Sequence, residues 1–261
     1  MTFVDARGTA TERRTSRPAR RGRDTVRIVR LFPDLLGTYG DDGNALVLAQ
    51  RCAWREIDAE IVDVRSGDPI PDDGDVYTIG GGEDGPQTTA ARQLDESGSV
   101  QRAVDRGAAV LAVCAGFQIM GHEFLGPDGT VTAGLGLFDC VTGRLPGPRL
   151  VGEVVADVDP GLGLPVLSGY ENHAGTTELG PGATPLARVR IGHGNGVGDN
   201  AEGAWSGRCV GTYLHGPVLA RNPGLADQLL SWVLHTELGP LPVDDLVDRL
   251  REQRLAATRA T

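Results

Sequence analysis

Residues 108–122 read AAVLAVCAGFQIMGH and decide the fold class of this chain. Residues 109–113 are apolar and uncharged, as in a buried strand, and the small residues Ala115 and Gly116 open a stretch that is typical of a helix. Cys114 therefore lies at a strand-to-helix junction, where hydrolases with an elbow-shaped turn place their nucleophile. The helix N-terminus favours a thiolate there and offers N–H groups to an oxyanion. We predict that Cys114 is a nucleophile rather than a buried structural cysteine.

Strand and helix patterns alternate on the N-terminal side of this junction. Apolar strands and helical stretches are predicted, in chain order, at residues 26–32, 44–54, 57–64, 75–79 and 88–105, the last with a break near Gly98. Such alternation predicts an α/β fold with a doubly wound, mostly parallel sheet flanked by helices.

The C-terminal half has a different pattern. Four short β patterns and then two helices are predicted, at residues 151–158, 165–169, 185–191, 208–214, 222–237 and 243–257. No repeat or linker interrupts residues 26–240. We therefore predict a disordered basic arm at residues 1–24, one domain at 25–240 and a C-terminal helix at 241–261. The arm holds seven Arg and three acidic residues, a net charge of +4.

Composition excludes several classes of function. The formal net charge is −10, and residues 25–261 hold 18 Arg against 32 acidic groups, which disfavours binding to nucleic acid. No stretch approaches the roughly 18 apolar residues that a membrane span needs. All 25 basic residues are Arg, so a Schiff-base lysine and a P-loop lysine are excluded. Any ATP used in the P-loop manner is expected on another chain.

The four cysteines indicate the redox setting. Cys52, Cys114, Cys140 and Cys209 form no CxxC pair and have no metal-binding spacing. No apolar segment follows the basic arm, so a secretory signal is not indicated. We expect free thiols, no bound metal and a cytoplasmic location.

A thiolate nucleophile needs a base, and His215 is the best placed of the five histidines. It ends the predicted strand at residues 208–214, and the carboxyl ends of parallel strands share one edge of a sheet, where sites form. Of the other histidines considered, His235 is predicted in a helix and His193 in a glycine-rich loop. His122 is too close in sequence to Cys114 to face it across a site. We predict that His215 is the general base rather than a structural residue.

The triplet Gly80-Gly81-Gly82 follows another predicted buried strand. A glycine triplet alone is consistent with a plain turn. At the same edge of the sheet, however, its backbone N–H groups would be able to stabilise an oxyanion.

Several motifs together resemble a known family. Residues 79–82 (IGGG), 114–118 (CAGFQ) and 211–217 (GTYLHGP) are similar to motifs of class I glutamine amidotransferases, and the resemblance covers about residues 26–237. Residues 170–175 (YENHAG) narrow it to the cobyric-acid-synthase-like branch. Residues 39–44 (YGDDGN) and the chain length look most like the free-standing glutaminase subunits of lipid II isoglutaminyl synthase. This resemblance implies a flavodoxin-like arrangement of the α/β fold.

The resemblance implies a role for each matching residue. Cys114 attacks the side-chain amide of L-glutamine, and His215 assists the thiolate and protonates the departing ammonia. Backbone N–H groups of Gly82 and Ala115 form the oxyanion hole. Gln118 lines the glutamine pocket.

Arg149 has a role only by this resemblance. It falls where the subfamily holds substrate through an arginine. A guanidinium suits that task because it binds a carboxylate through two parallel hydrogen bonds. A surface arginine without function is the alternative.

Position 217 departs from the family pattern. Many class I glutaminases place a glutamate two residues after the catalytic histidine, and here that residue is Pro217. Three alternatives follow: another local acid orients His215, no acid does so, or, as the resemblance implies, a carboxylate comes from the ligase subunit. The last would make full activity depend on assembly.

The resemblance implies the glutaminase half of a heterodimeric amidotransferase. The chain would need no cofactor of its own and would pass ammonia to a Mur-ligase-like synthetase. That partner would bind ATP and Mg²⁺ and amidate the D-glutamate α-carboxylate of the lipid II stem peptide. One alternative is another acceptor, such as a corrinoid carboxylate, although known enzymes of that kind are fused to a synthetase for which this chain has no room. The other is a catalytically silent regulatory module, against which the intact Cys114 and His215 argue.

Overall fold

The computed structural model describes residues 25–196 and 198–258. This part of the chain contains fourteen strands and seven α-helices. The strands, in chain order, are β1 (Val26–Leu31), β2 (Ala59–Val64), β3 (Val76–Ile79), β4 (Ala109–Val113), β5 (Glu123–Leu125), β6 (Val131–Ala133), β7 (Cys140–Arg144), β8 (Leu150–Val158), β9 (Leu167–His173), β10 (Gly175–Leu179), β11 (Ala187–Ile191), β12 (Ala201–Glu202), β13 (Ala204–Ser206) and β14 (Cys209–Thr212). The helices are α1 (Gly43–Ala53), α2 (Asp84–Ser97), α3 (Ser99–Asp105), α4 (Ala115–Met120), α5 (Val218–Arg221), α6 (Pro223–Leu234) and α7 (Asp244–Thr258). The predicted arm at residues 1–24 lies outside the described residues, as does the end of the predicted C-terminal helix, 259–261.

The central sheet has six strands in the order β13-β14-β4-β3-β1-β2. Five of them are parallel, and β13 is an antiparallel edge strand. All five residues of β4 are buried, because strands lie on both sides and helices cover the sheet. The predicted α/β fold with a mostly parallel sheet is confirmed.

The helices flank the sheet in two groups. α1 packs against α5 and α6, and α6 also contacts β3 and β4. α2 packs against α3 and α4, and α4 contacts β4 and β14. The predicted helical break is present at Gly98, which separates α2 from α3 with a φ of 58°. Glycine adopts this left-handed conformation without strain, so it ends one helix and begins the next.

Two smaller sheets were not predicted. Their orders are β10-β7-β5-β6 and β12-β11-β8-β9. β5 and β6 have three residues each and β12 has two, which is too short for a period of two to be recognised. β9 runs on to His173, beyond the predicted 165–169, because it pairs with β8 along its whole length.

The carboxyl ends of β1, β3, β4 and β14 lie side by side at one edge of the central sheet. Loops from neighbouring strands are joined there by backbone hydrogen bonds. Thr38 N–H donates to Gly81 O, and Gly116 N–H donates to Gly80 O, each at 3.1 Å. This edge therefore brings together motifs that are far apart in the sequence.

Candidate active site

Cys114 occupies the sharp turn between β4 and α4. Its φ of 51° and ψ of −108° are a conformation that residues other than glycine rarely adopt. Its N–H donates to Thr212 O at 2.8 Å, which holds the turn against the end of β14. The strand–turn–helix geometry agrees with the sequence pattern. The nucleophilic role itself stays a prediction, which this strained geometry supports.

Two glycines allow the loops to approach Cys114 closely. A Cβ on Gly81 would lie 2.7 Å from His215 Cε1 and 3.2 Å from Cys114 Cβ. A Cβ on Gly116 would lie 2.8 Å from Ile79 O. The shortest of these separations are closer than heavy atoms tolerate, so only glycine lets the β3 loop approach both the predicted nucleophile and the predicted base this closely.

His215 lies three residues beyond β14 and is anchored to β9. Its N–H donates to Tyr170 O at 2.8 Å, and Tyr170 N–H donates to His215 O at 3.3 Å. The buried ring lies close to Cys114, because both side chains border the same position at Gly81. Its Nε2 atom is buried and has no hydrogen-bond partner among the described residues, so this atom is available to a ligand. The structure thus brings Cys114 and His215 together.

Asp41 is the third member of this cluster, and the sequence analysis did not identify it. Its Oδ2 lies 2.9 Å from His215 Nδ1 and accepts the Gly81 N–H at 2.9 Å. Asp41 is 3% exposed. The acid that faces His215 therefore comes from this chain, the first of the three alternatives stated for the departure at Pro217. Its position in the connection between β1 and α1 was the available signal, since β1 ends at the same edge.

The cluster changes the protonation of His215. Burial alone would disfavour the imidazolium, but the hydrogen bond to Asp41 and the interaction with the Cys114 thiol outweigh burial. Together they raise the pKa of His215 to about 10. A protonated imidazole beside a sulfur stabilises the thiolate, the form in which cysteine acts as a nucleophile.

Gly82 and Ala115 are the predicted oxyanion donors. Neither N–H donates a hydrogen bond within the described ranges. Ala115 is the first residue of α4, where N–H groups have no acceptor in their own helix. Both groups are therefore available to a ligand, as an oxyanion hole requires, while their role stays a prediction.

Gln118 points its amide into a polar network. Its Oε1 accepts from Gln87 Nε2 at 2.7 Å, and its Nε2 donates to the Tyr213 hydroxyl at 3.1 Å. The side chain is partly buried. Gln118 is therefore held firmly on one side and has hydrogen-bonding capacity left for a ligand.

Arg149 is exposed and reaches the cluster only through other residues. Its Nε and a terminal nitrogen donate to Asn172 Oδ1 and Asn172 O, each at 2.7 Å. Asn172 Nδ2 donates to the Tyr39 hydroxyl at 2.5 Å. The Tyr39 ring lies edge-on to His215, with 4.9 Å between ring centroids. Arg149 is thus linked to His215 through Asn172 and Tyr39, and its predicted contact with substrate stays a prediction.

The other three cysteines are buried, and none forms a disulfide among the described residues. Burial raises the pKa of Cys140 and of Cys209 to about 12, so both thiols stay protonated. His193 is not simply a solvated loop residue, because its Nδ1 lies 2.8 Å from the buried Glu171 carboxylate. Within residues 25–196 and 198–258, no group of three His, Cys, Asp or Glu is placed to hold a metal ion. The same residues include no helix long and apolar enough to cross a bilayer.

A cysteine at a strained strand-to-helix turn, facing a histidine at the edge of a parallel sheet, is the arrangement of a class I glutamine amidotransferase. A family model described as a CobB/CobQ-like glutamine amidotransferase domain matches residues 27–223. The chain belongs to this family.

Curated relatives carry more specific names. The chain is 35% identical over 205 residues to the Staphylococcus aureus lipid II isoglutaminyl synthase (glutamine-hydrolyzing) subunit GatD, covering 78% of this chain and 82% of that protein. The Streptococcus pneumoniae GatD subunit is 32% identical over 221 residues, with 82% of each chain covered. A cobyric acid synthase from Rhodobacter capsulatus is 37% identical over 166 residues, but only 32% of its length is covered. A crystal structure of a glutamine amidotransferase shares the fold, with a TM-score of 0.53 and 21% identity over 78% of this chain and 98% of that chain.

Proposed function

We propose that this chain is the glutaminase subunit of a lipid II isoglutaminyl synthase. The observation that carries the proposal is the close approach of Cys114, His215 and Asp41 at the edge of the central sheet. The similarity to two GatD subunits along about four fifths of the chain supports the particular enzyme.

The first half of the reaction forms a thioester. The Cys114 thiolate attacks the side-chain carbonyl carbon of L-glutamine, and the negative charge moves to the carbonyl oxygen. The N–H groups of Gly82 and Ala115 would stabilise this oxyanion. His215 donates its proton to the amide nitrogen, the C–N bond breaks, and ammonia leaves. Asp41 holds Nδ1 so that Nε2 faces the sulfur and the leaving nitrogen.

The second half returns the enzyme to its starting state. Neutral His215 takes a proton from a water molecule, whose oxygen attacks the γ-glutamyl thioester. The C–S bond breaks, glutamate leaves, and Cys114 is again a thiolate beside a protonated His215. In sum, glutamine and water give glutamate and ammonia, without any redox step.

We propose that the ammonia goes to a Mur-ligase-like, MurT-like partner in a cytoplasmic heterodimer. ATP and Mg²⁺ would bind to that partner, which would activate the D-glutamate α-carboxylate of lipid II for amidation. Because Asp41 already orients His215, we expect the isolated chain to hydrolyse glutamine. The partner would then be needed for amidation rather than to complete the catalytic cluster.

The test is glutamate release from L-glutamine by the purified chain. Cys114→Ala should abolish this activity and keep the melting temperature within about 2 °C, because an alanine fits a site already lined by small residues. Cys52→Ala is the matched control, since Cys52 is a buried cysteine in α1 away from the cluster. Turnover by Cys114→Ala at the rate of the unaltered chain would refute the proposal.

A corrinoid carboxylate is the second candidate acceptor, and the cobyric acid synthase relatives favour it. The partner decides between the two acceptors. Native mass spectrometry of complexes captured with this chain, followed by an amidation assay, separates them. A Mur-ligase-like partner that amidates lipid II supports the first, and a corrinoid synthetase supports the second.

A further inference from the structure

We propose that Gln87 is a positioning residue that sets the orientation of the Gln118 carboxamide and thereby the selection of glutamine over glutamate. This inference rests on the proposed function, because it concerns the same pocket. Gln87 belongs to no motif used above. It lies in the first turns of α2 and is 4% exposed.

The backbone carbonyl of Ala115 determines which way the Gln87 amide points. Gln87 Nε2 lies 3.4 Å from Ala115 O and 2.7 Å from Gln118 Oε1. A carbonyl oxygen can only accept a hydrogen bond, so the NH₂ end of Gln87 must face Ala115. The Gln118 atom on the same side must then be its oxygen, because two NH₂ groups would repel each other.

The orientation of the Gln118 amide also determines its hydrogen bond to Tyr213. With its oxygen towards Gln87, Gln118 turns its NH₂ group to the Tyr213 hydroxyl, at 3.1 Å. The phenol oxygen accepts this bond and is left to donate its own proton to Thr177 Oγ1, at 2.7 Å. Burial raises the pKa of Tyr213, so its hydroxyl keeps that proton. The orientations of the Gln87 and Gln118 amides therefore follow from one carbonyl group, and Tyr213 accepts from Gln118.

The same arrangement defines what Gln118 offers to a ligand. A Cβ on Gly175 would lie 2.3 Å from Gln118 Nε2, so the amide is in close contact with the backbone of β10. Gln118 uses one N–H on Tyr213 and one lone pair on Gln87, which leaves one N–H and one lone pair. A flipped amide would exchange these two positions. A pocket selective for a carboxamide over a carboxylate depends on the difference, because an amide has donors and a carboxylate has none.

Two substitutions of Gln87 test the inference. Gln87→Leu removes the donor, and Gln87→Glu replaces it with a group that only accepts and so attracts the NH₂ end of Gln118. We expect the KM for L-glutamine to rise about tenfold in both, with kcat changed less than about threefold. We also expect inhibition by L-glutamate to strengthen relative to glutamine binding, most in Gln87→Glu. Gln101→Leu, an exposed glutamine on α3, is the matched control and should change none of these values.

A second readout does not depend on turnover. NMR of the Gln118 side-chain amide should show its NH₂ protons close to the Tyr213 ring in the unaltered chain, and this proximity should be lost in Gln87→Glu. An unchanged KM and unchanged NMR contacts in the Gln87 variants would overturn the inference. A fall in kcat together with melting temperature, at constant KM, would also overturn it, since that is a structural role. An unaltered chain without glutaminase activity would instead count against the proposed function, and the NMR experiment would still decide the orientation.

Discussion

Two buried clusters of opposite charges differ in how completely their atoms are paired. The catalytic cluster consists of Cys114, His215 and Asp41 at the edge of the central sheet. The second, which we call the helix cluster, consists of Arg51 in α1, Asp227 in α6 and Asp244 in α7. All its members are less than 9% exposed.

The helix cluster is fully hydrogen-bonded. Arg51 donates two bonds to Asp227, at 2.7 and 2.6 Å, and two to Asp244, at 2.7 and 2.9 Å. Burial opposes its charge, but these bonds raise the pKa of Arg51 above its usual value. This geometry fixes α7 to α1 and α6.

The catalytic cluster keeps unpaired atoms instead. Asp41 Oδ1 and His215 Nε2 are both buried and have no hydrogen-bond partner in the described residues. Unpaired buried polar atoms cost stability, so such a cluster is maintained by its surroundings rather than stabilising them. The fully paired helix cluster therefore serves the fold, whereas the catalytic cluster keeps a buried imidazole nitrogen available for chemistry.

The largest expected effect is on catalysis. Asp41→Asn should lower glutaminase kcat/KM by about 10²–10⁴-fold, because an amide no longer holds the imidazolium and the Nδ1–H form. The free energy of unfolding should change by less than about 1 kcal/mol, since asparagine can still accept the Gly81 N–H. Steady-state kinetics measure kcat/KM, and urea unfolding measures the free energy of unfolding. A large loss of stability with little loss of activity would contradict the comparison.

The same variant should change the pH profile in a defined direction. His215 must carry a proton to release ammonia, so activity falls as the pH rises through its pKa, which Asp41 and Cys114 raise to about 10. Removing the Asp41 charge lowers that pKa. The alkaline limb of kcat/KM should therefore move to lower pH in Asp41→Asn, and a limb that stays in place would show that Asp41 does not act on His215.

The second effect is on stability. Arg51→Met leaves the buried Asp244 without its cation and Asp227 with Arg55 alone, at 2.8 Å. This should cost about 3 kcal/mol of the free energy of unfolding. The kcat/KM of the folded variant should be unchanged. Arg30→Met is the matched control: it breaks a more exposed pair with Asp63 and should cost less than about 1 kcal/mol. Equal losses in both variants, measured by urea unfolding, would show that the helix cluster has no special role.

The smallest expected effect is on the pH dependence of stability, and it concerns Glu202, a buried acid outside both clusters. Glu202 is fully buried and forms no ion pair among the described residues. It accepts hydrogen bonds from the Thr212 hydroxyl and from Tyr213 N–H, and its Oε2 has no hydrogen-bond partner there. Burial raises the pKa of Glu202 from 4.5 to about 7. The folded state therefore holds its proton more tightly than the unfolded state, and stability falls as the pH rises through this range.

Glu202→Gln removes this titration. Relative to the unaltered chain, the variant should gain about 1–3 kcal/mol of unfolding free energy between pH 5 and pH 8. Urea unfolding at both pH values measures the difference. If the variant and the unaltered chain differed by the same unfolding free energy at pH 5 and at pH 8, Glu202 would not titrate between these pH values.

Short sequence patterns predicted much of this structure. The run at residues 109–113 followed by Cys114, Ala115 and Gly116 predicted a strand, a turn and a helix, because periodicity and small residues act over a few positions. The helical break at Gly98 followed from the same kind of local signal. The proximity of Cys114 and His215 could be predicted from the rule that the carboxyl ends of parallel strands lie at one edge of the sheet.

Other features could not be read from the sequence. Asp41 is one of two adjacent aspartates, Asp41 and Asp42, and nothing local shows which one faces the imidazole. The sequence around Gln87 indicates only a helical residue, and its contact with Gln118 arises because α2 packs against α4. The Arg51 cluster joins residues up to 193 positions apart.

The sequence alone determined the class of fold and predicted the two side chains that we propose to react, because these depend on short-range patterns and on the direction of parallel strands. Only the tertiary structure decided which acid orients His215, which glutamine orients Gln118 and which charges hold α7. The physical reason is that hydrogen-bond pairing depends on distances of about 3 Å between side chains that the sequence does not place near each other.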